Sequence, residues 1–188
     1  MKFFLISFFV SCLFNYKVFS LDTIAKQAIL YDYETKTIIF EKNSEELMSP
    51  SSMSKIMTIY YVFKKIKDGD LKLTDKFKVS KKAWKKGGSK MFVNVNTMVS
   101  VEDLIRGIIV QSGNDACIAI AEGISGSESL FAEELNLLAK EMGMMNSSFT
   151  NSTGWPDPDH LTTIQDLLTL TVRTIEDFPE LYYYYAEK

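Results

Sequence analysis

The 188 residues are 46% apolar and 24% charged, with a formal net charge of −3. Such a chain can build one packed core, and the mild charge excludes a disordered, fibrous or strongly basic nucleic-acid-binding protein. One histidine and two cysteines leave no set of side chains spaced for a metal, so neither a metal nor another cofactor is expected.

Residues 1–20, MKFFLISFFVSCLFNYKVFS, carry Lys2, an apolar run over 3–14, and Val18 and Ser20 at the −3 and −1 positions of a cleavage site. The run is too short to span a bilayer and has the order of a secretory leader, so 1–20 reads as an export signal. An uncleaved anchor or lipid attachment at Cys12 are the alternatives. Two lysines and no acid leave with the segment, which takes the net charge to −5. It also leaves Cys117 as a lone cysteine inside an apolar helical run, a small buried filler with no disulfide partner.

Residues 27–43 read as a hairpin, with β-rich runs at 28–31 and 37–40 around a polar turn. A helix follows from the stretch SPSSMSKIMT to about Lys67, then a strand-like DKFKVS, then a basic glycine-containing loop, KKAWKKGGSK. Ser100 and Asp103 form a capping-box pattern before the helical SVEDLIRGIIV, and QSGND makes a turn into a second helix. Residues 126–144 predict a long amphipathic helix with Leu130, Phe131, Leu135, Leu138 and Met142 on its apolar side. Thr163 and Asp166 cap a last helix to about Ile175. Early strands and central helices give an α+β layering, one domain over 21–188 with too few late strands to finish a sheet.

Two constellations carry chemistry. Ser52 and Lys55 stand three apart at a helix entrance after Pro50, on one face and within mutual reach. A serine hydroxyl attacks only when a base takes its proton, and a lysine serves only when burial or positive neighbours lower its pKa. The pattern is equally a capped helix with a solvated lysine; Ser51 is a rival nucleophile, while Ser54 faces away. Ser112 and Asn114, two apart on a turn, can relay a proton and bind an amide, or Ser112 can simply cap a helix. His160, beside a turn, reads as a loop-fixing hydrogen-bonder, and Arg106, Asp115 and Lys90 as unranked wall residues. AEELN at 132–136 reads as helix surface.

Together the two motifs, sixty positions apart, with FEKNSEELMSPSSMSKIMT, GSKMF, SVEDLIRGIIVQSGNDACIAIAEGISGS and FTNSTGWPDPDHLTTIQDLLTL, resemble the low-molecular-mass serine penicillin-binding proteins, the D-alanyl-D-alanine carboxypeptidases, over residues 24–179. The resemblance implies a β-lactamase/transpeptidase-like α+β fold and an exported, periplasmic enzyme. Its substrate would be a peptidoglycan stem peptide ending in D-Ala-D-Ala, with β-lactams as covalent inhibitors and no nucleic acid partner. It assigns Ser52 as nucleophile over Ser51, Lys55 as its base, Ser112 as the proton relay to the leaving nitrogen, Asn114 as binder of the substrate amide, and the Ser52 N–H as half of the oxyanion hole. A β-lactamase of the same superfamily and a non-catalytic penicillin-binding-like module are the alternatives.

The family's Lys-Thr-Gly strand, which supplies the other oxyanion N–H, is not among the 188 residues, nor is a C-terminal membrane-anchoring helix. Lys36-Thr37 is followed by Ile38 and precedes the nucleophile. The 188 residues therefore read as the N-terminal portion of the domain, expected to show little or no turnover alone.

Overall fold

The computed structural model describes residues 21–188, so the export signal expected over 1–20 lies outside the described residues. The hairpin is present as β1 (Ala28–Asp32) and β2 (Thr37–Lys42), antiparallel with an irregularity between Leu30 and Tyr31. A 3-10 turn over Ser51–Met53 leads into α1 (Ser54–Lys67). A second short antiparallel pair follows, β3 (Lys76–Lys78) with β4 (Met98–Ser100). The stretch between them departs from the expected loop. Its first part is a short helix, α2 (Lys81–Lys85), capped by Ser80, whose side chain accepts from the Ala83 N–H. Five residues with a single buried side chain, Ala83, carry no readable periodicity, so the helix was not legible as one.

The helical body follows: α3 (Val101–Ile109), α4 (Asn114–Ser125), α5 (Glu128–Glu141) and α6 (Ile164–Asp177). Ser100 and Thr163 accept from the N–H groups of Asp103 and Asp166, as the capping patterns predict. α4 is the centre of the core. Its residues 116–121 are wholly buried, Cys117 among them, and it packs against α2, α3, α5 and β3. A helix apolar on every side has no solvent face to give, so it must be enclosed. α1 lies alongside, touching α3, α5 and α6.

One expected core position is wrong. Leu130 is 50% exposed, while Phe131, Leu135, Leu138 and Met142 form the buried stripe of α5. Leu130 shares its helix face with Leu137, seven residues on and also exposed.

α4 approaches β3 at Gly123, where an added Cβ would stand 2.1 Å from the Phe77 ring. Gly123→Ala gains up to ~1 kcal/mol of helix propensity and loses more by wedging the ring. We expect a net destabilisation of about 1–3 kcal/mol, read by urea unfolding.

Candidate active site

The site begins with an unusual backbone. Ser51 holds φ at +47°, a left-handed conformation that costs a non-glycine residue about 1 kcal/mol or more. Its carbonyl accepts from both the Ser54 N–H and, at 2.8 Å, the Ser54 hydroxyl. Gly154, itself at φ +77°, presses on the same carbonyl, since a Cβ there would fall 1.7 Å from the Ser51 oxygen. Between these contacts the turn is fixed, and Ser52 is presented to solvent at the mouth of α1.

Below it, Lys55 is 5% exposed. Its Nζ stands 3.0 Å from Ser52 Oγ and donates to the Thr153 carbonyl at 2.9 Å. Among the described residues no carboxylate pairs with it. Burial holds its pKa below the ordinary lysine value, opposed only weakly by Cys117, whose own thiol is pushed up to about 12 by burial and stays neutral. The consequence is chemical. A larger share of neutral amine is available, one N–H is occupied by Thr153, and a lone pair is free to take the Ser52 proton.

The Thr153 carbonyl is placed by a braced wall at 149–155. Asn136 brackets Phe149, accepting from its N–H at 2.8 Å and donating to its carbonyl at 2.7 Å. Glu128 accepts from the Ser152 N–H and hydroxyl and pairs outward with Lys82 at 2.7 Å. Burial raises the Glu128 pKa, but the bonds from Lys82 and Ser152 outweigh it and keep the carboxylate below its usual range. Thr58 donates to the Ser152 carbonyl, and Asn151 Oδ1 accepts from the N–H groups of Thr153 and Trp155. The reading of 132–136 as helix surface is thus corrected. The run is helical, but Ala132 is buried and Asn136 ties α5 to the wall.

Ser112 sits in the turn between α3 and α4 at φ +52°. It is not the cap of α4; Gly113 occupies that position, without a side-chain bond. Ser52, Lys55 and Ser112 line one cavity of about 120 Å³ together with Ile56, Ile108 and Tyr185. Asn114 does not line it. Its Nδ2 donates to the Gly87 carbonyl at 2.9 Å, and Gly88 packs so closely that a Cβ would meet that Nδ2 at 2.6 Å. Three of the four expected site residues converge, and the fourth binds the neighbouring loop.

The wall candidates have other roles. Asp115 is buried and accepts from the N–H groups of Met91 and Val93. Arg106 pairs with Glu102 and Glu187, and Lys90 donates to the Trp84 carbonyl. His160 is 1% exposed and hydrogen-bonded at both ring nitrogens, a loop-fixing residue as expected. Tyr185 gave no signal in sequence, standing in a run of four tyrosines within the 3-10 turn Tyr182–Ala186. Its hydroxyl is buried without a partner among the described residues.

The helical cluster with its flanking hairpin is the β-lactamase/transpeptidase-like fold. The R248L mutant of the Streptomyces K15 DD-transpeptidase shares it at a TM-score of 0.76 over 84% of this chain and 63% of that one, at 22% identity. The D-alanyl-D-alanine carboxypeptidase DacD of Francisella tularensis matches at 0.87, with 40% identity over 89% of this chain and 41% of that one. The family model for D-alanyl-D-alanine carboxypeptidases, peptidase S11, matches residues 16–188, and the chain belongs to that family. DacC of Escherichia coli K12 is 39% identical over 170 residues, 87% of this chain and 42% of its own length. DacF of Bacillus subtilis is 39% identical over 143 residues, 76% of this chain and 37% of its own. The chain spans about two-fifths of the length of the curated relatives it matches.

Two substitutions test the geometry. Gly154→Ala has no room for its methyl and sits at a positive φ, so it should destabilise by at least ~2 kcal/mol in thermal unfolding and displace the Ser51 carbonyl. Tyr185→Phe removes a desolvated hydroxyl that makes no bond, and stability should hold or rise by up to ~1 kcal/mol.

Proposed function

We propose that the protein is an exported serine D-Ala-D-Ala carboxypeptidase, which removes the terminal D-alanine of peptidoglycan stem peptides through an acyl-enzyme on Ser52. The single observation that carries this reading is Lys55, a buried amine with no acidic partner, 3.0 Å from the exposed hydroxyl of Ser52. Family membership supports the substrate, and the names of the relatives, D-alanyl-D-alanine carboxypeptidases, point the same way.

Neutral Lys55 takes the Ser52 proton as Oγ bonds to the carbonyl carbon of the penultimate D-alanine. The charge that develops on the carbonyl oxygen is received by the Ser52 N–H at the start of the 3-10 turn, where backbone N–H groups lack intrahelical partners. Ser112 passes the proton from Lys55 to the leaving nitrogen, the C–N bond breaks, and D-alanine departs. Water then attacks the ester, yielding a proton to Lys55 and releasing the shortened peptide as Ser52 regains its own. Asn114 binds the substrate amide on this scheme, which requires its Nδ2 to leave the Gly87 carbonyl or its Oδ1 to accept alone. A β-lactam acylates the same oxygen, and the placement on peptidoglycan puts the protein outside the cytoplasmic membrane. Penicillin binding proteins are among the structural neighbours, one of them in an ampicillin-bound form.

The full-length protein should be labelled stoichiometrically by a fluorescent penicillin, and Ser52→Ala should abolish the label. Acylation should quicken with rising pH as Lys55 loses its proton, and level off below the ordinary lysine value of 10.5, because the folded pKa is depressed. Absence of label on the folded protein would remove the acyl-enzyme reading, and rapid nitrocefin turnover would replace it with a β-lactamase.

A further inference from the structure

We infer that His160 is a positioning residue for acylation: through the Ser54 hydroxyl it fixes and polarises the Ser51–Ser52 peptide, and so aims the Ser52 N–H at the developing oxyanion. This rests on the acyl-enzyme reading above and adds two residues to it.

The direction of the hydrogen bonds follows from donors that have no choice. The Thr150 backbone N–H lies 3.1 Å from His160 Nδ1 and can only donate, so Nδ1 carries the lone pair. Asn151 Nδ2, 3.4 Å from the same nitrogen, is also a donor, since Asn151 Oδ1 is engaged by the N–H groups of Thr153 and Trp155. The neutral ring then bears its hydrogen on Nε2, which donates to Ser54 Oγ at 2.8 Å. With its oxygen accepting, Ser54 turns its own hydrogen to the Ser51 carbonyl at 2.8 Å. His160 and Ser54 are buried, Thr150 and Asn151 are half-buried, and Ser51 is exposed.

The carbonyl of Ser51 and the N–H of Ser52 belong to one planar peptide and point to opposite sides. A bond that holds the oxygen against α1 therefore turns the N–H outward. The same bond draws electron density toward the carbonyl oxygen and strengthens the N–H as a donor, as linked hydrogen bonds do. The residue held this way is the one at φ +47°, so without the chain the turn has an easier conformation to relax into.

Acid breaks the relay. A second ring proton must go on Nδ1, where it meets the Thr150 N–H head on. Ser54 from α1 and Phe149, Thr150 and Asn151 from the facing segment surround the ring and bring no charge; Asp157 on its own loop is the charged group that acts on it. Burial outweighs Asp157 and holds the ring's pKa below the ordinary 6.5, so the relay is intact at neutral pH and fails on the acid side of that value.

The test is acylation of the full-length protein by a fluorescent penicillin, with the rate constant for acylation separated from the prior binding constant. Ser54→Ala and His160→Phe should each slow acylation roughly tenfold, a part of the loss that deleting an oxyanion donor brings, with drug binding little changed. In the double variant the two losses should not multiply, because one acts through the other. His160→Gln, which accepts at Oε1 and donates at Nε2, should restore most of the rate and abolish the extra fall below the ordinary histidine value of 6.5, leaving only the slope set by Lys55. Losses that multiply, or an extra fall below 6.5 that persists in His160→Gln beyond the slope set by Lys55, would overturn the relay. Should the variants fail to fold, nitrogen NMR of the unaltered protein decides: Nε2–H with a bare Nδ1 supports the relay, and the opposite tautomer refutes it. An unaltered protein that takes no label at all strikes the acyl-enzyme reading instead, a result distinct from any of these.

Discussion

The arrangement turns on an ammonium group that the fold declines to neutralise. Burying a lysine costs several kcal/mol unless it is paired, and the usual remedy is a carboxylate. Lys55 is given a neutral carbonyl and a neutral hydroxyl instead. A carboxylate in that place would have made the site more stable and chemically inert, because it would hold the amine protonated. The missing counter-ion is what separates a base from a salt bridge, and the surrounding structure is arranged to tolerate it.

That tolerance comes from two bodies that do not yield. One is the dry pair of α1 and α4, in which residues 116–121 and most of α1 up to Phe63 are buried. The other is the wall at 149–155, where almost every backbone group near Thr153 is claimed by a side chain from elsewhere: Asn136 and Glu128 from α5, Thr58 from α1, and His160 from the following loop. The carbonyl facing Lys55 is thus held from three sides. Glu128 shows how charge is managed at such a place. It is ionised and mostly buried, but Lys82 meets it on the outer side, so its field is answered away from Lys55.

Much of this was legible in the sequence, and what was not has a physical reason. Ser100 and Thr163 announced α3 and α6 because a cap is a local interaction between residues three apart. The Ser52–Lys55 pair was visible for the same reason. The Thr153 carbonyl could not be foreseen, because it is a backbone atom 98 positions from Lys55 and has no residue type to betray it. Ser54 seemed to face away from Lys55 and Ser52 and does, yet its hydroxyl donates to the Ser51 carbonyl and clamps the peptide next to Ser52. Asn114 looked like a partner of Ser112 and is turned instead to Gly87, since two residues at the head of a helix point in different directions once the first is held at a positive φ. Leu130 misled because an apolar residue one step from the buried stripe of α5 is 100° off it.

Several of the costs borne by the fold gather at one place. Lys36, Asn43 and Asn96 adopt positive φ in surface turns, where asparagine in particular does so readily, and the exposed Phe92 is strained in the same way on another face. Ser51 and Ser112 have no such excuse, and they adjoin the same small cavity as the uncompensated lysine and the unpartnered Tyr185 hydroxyl. A serine in each of those turns could be replaced by glycine at no steric cost, and at Ser51 this would relieve the backbone. It would also loosen the turn, since glycine gains freedom in every other conformation too. The strain is therefore better understood as the result of holding a hydroxyl in a fixed place against a fixed amine, with the bonds to the Ser51 carbonyl supplying what the backbone preference does not.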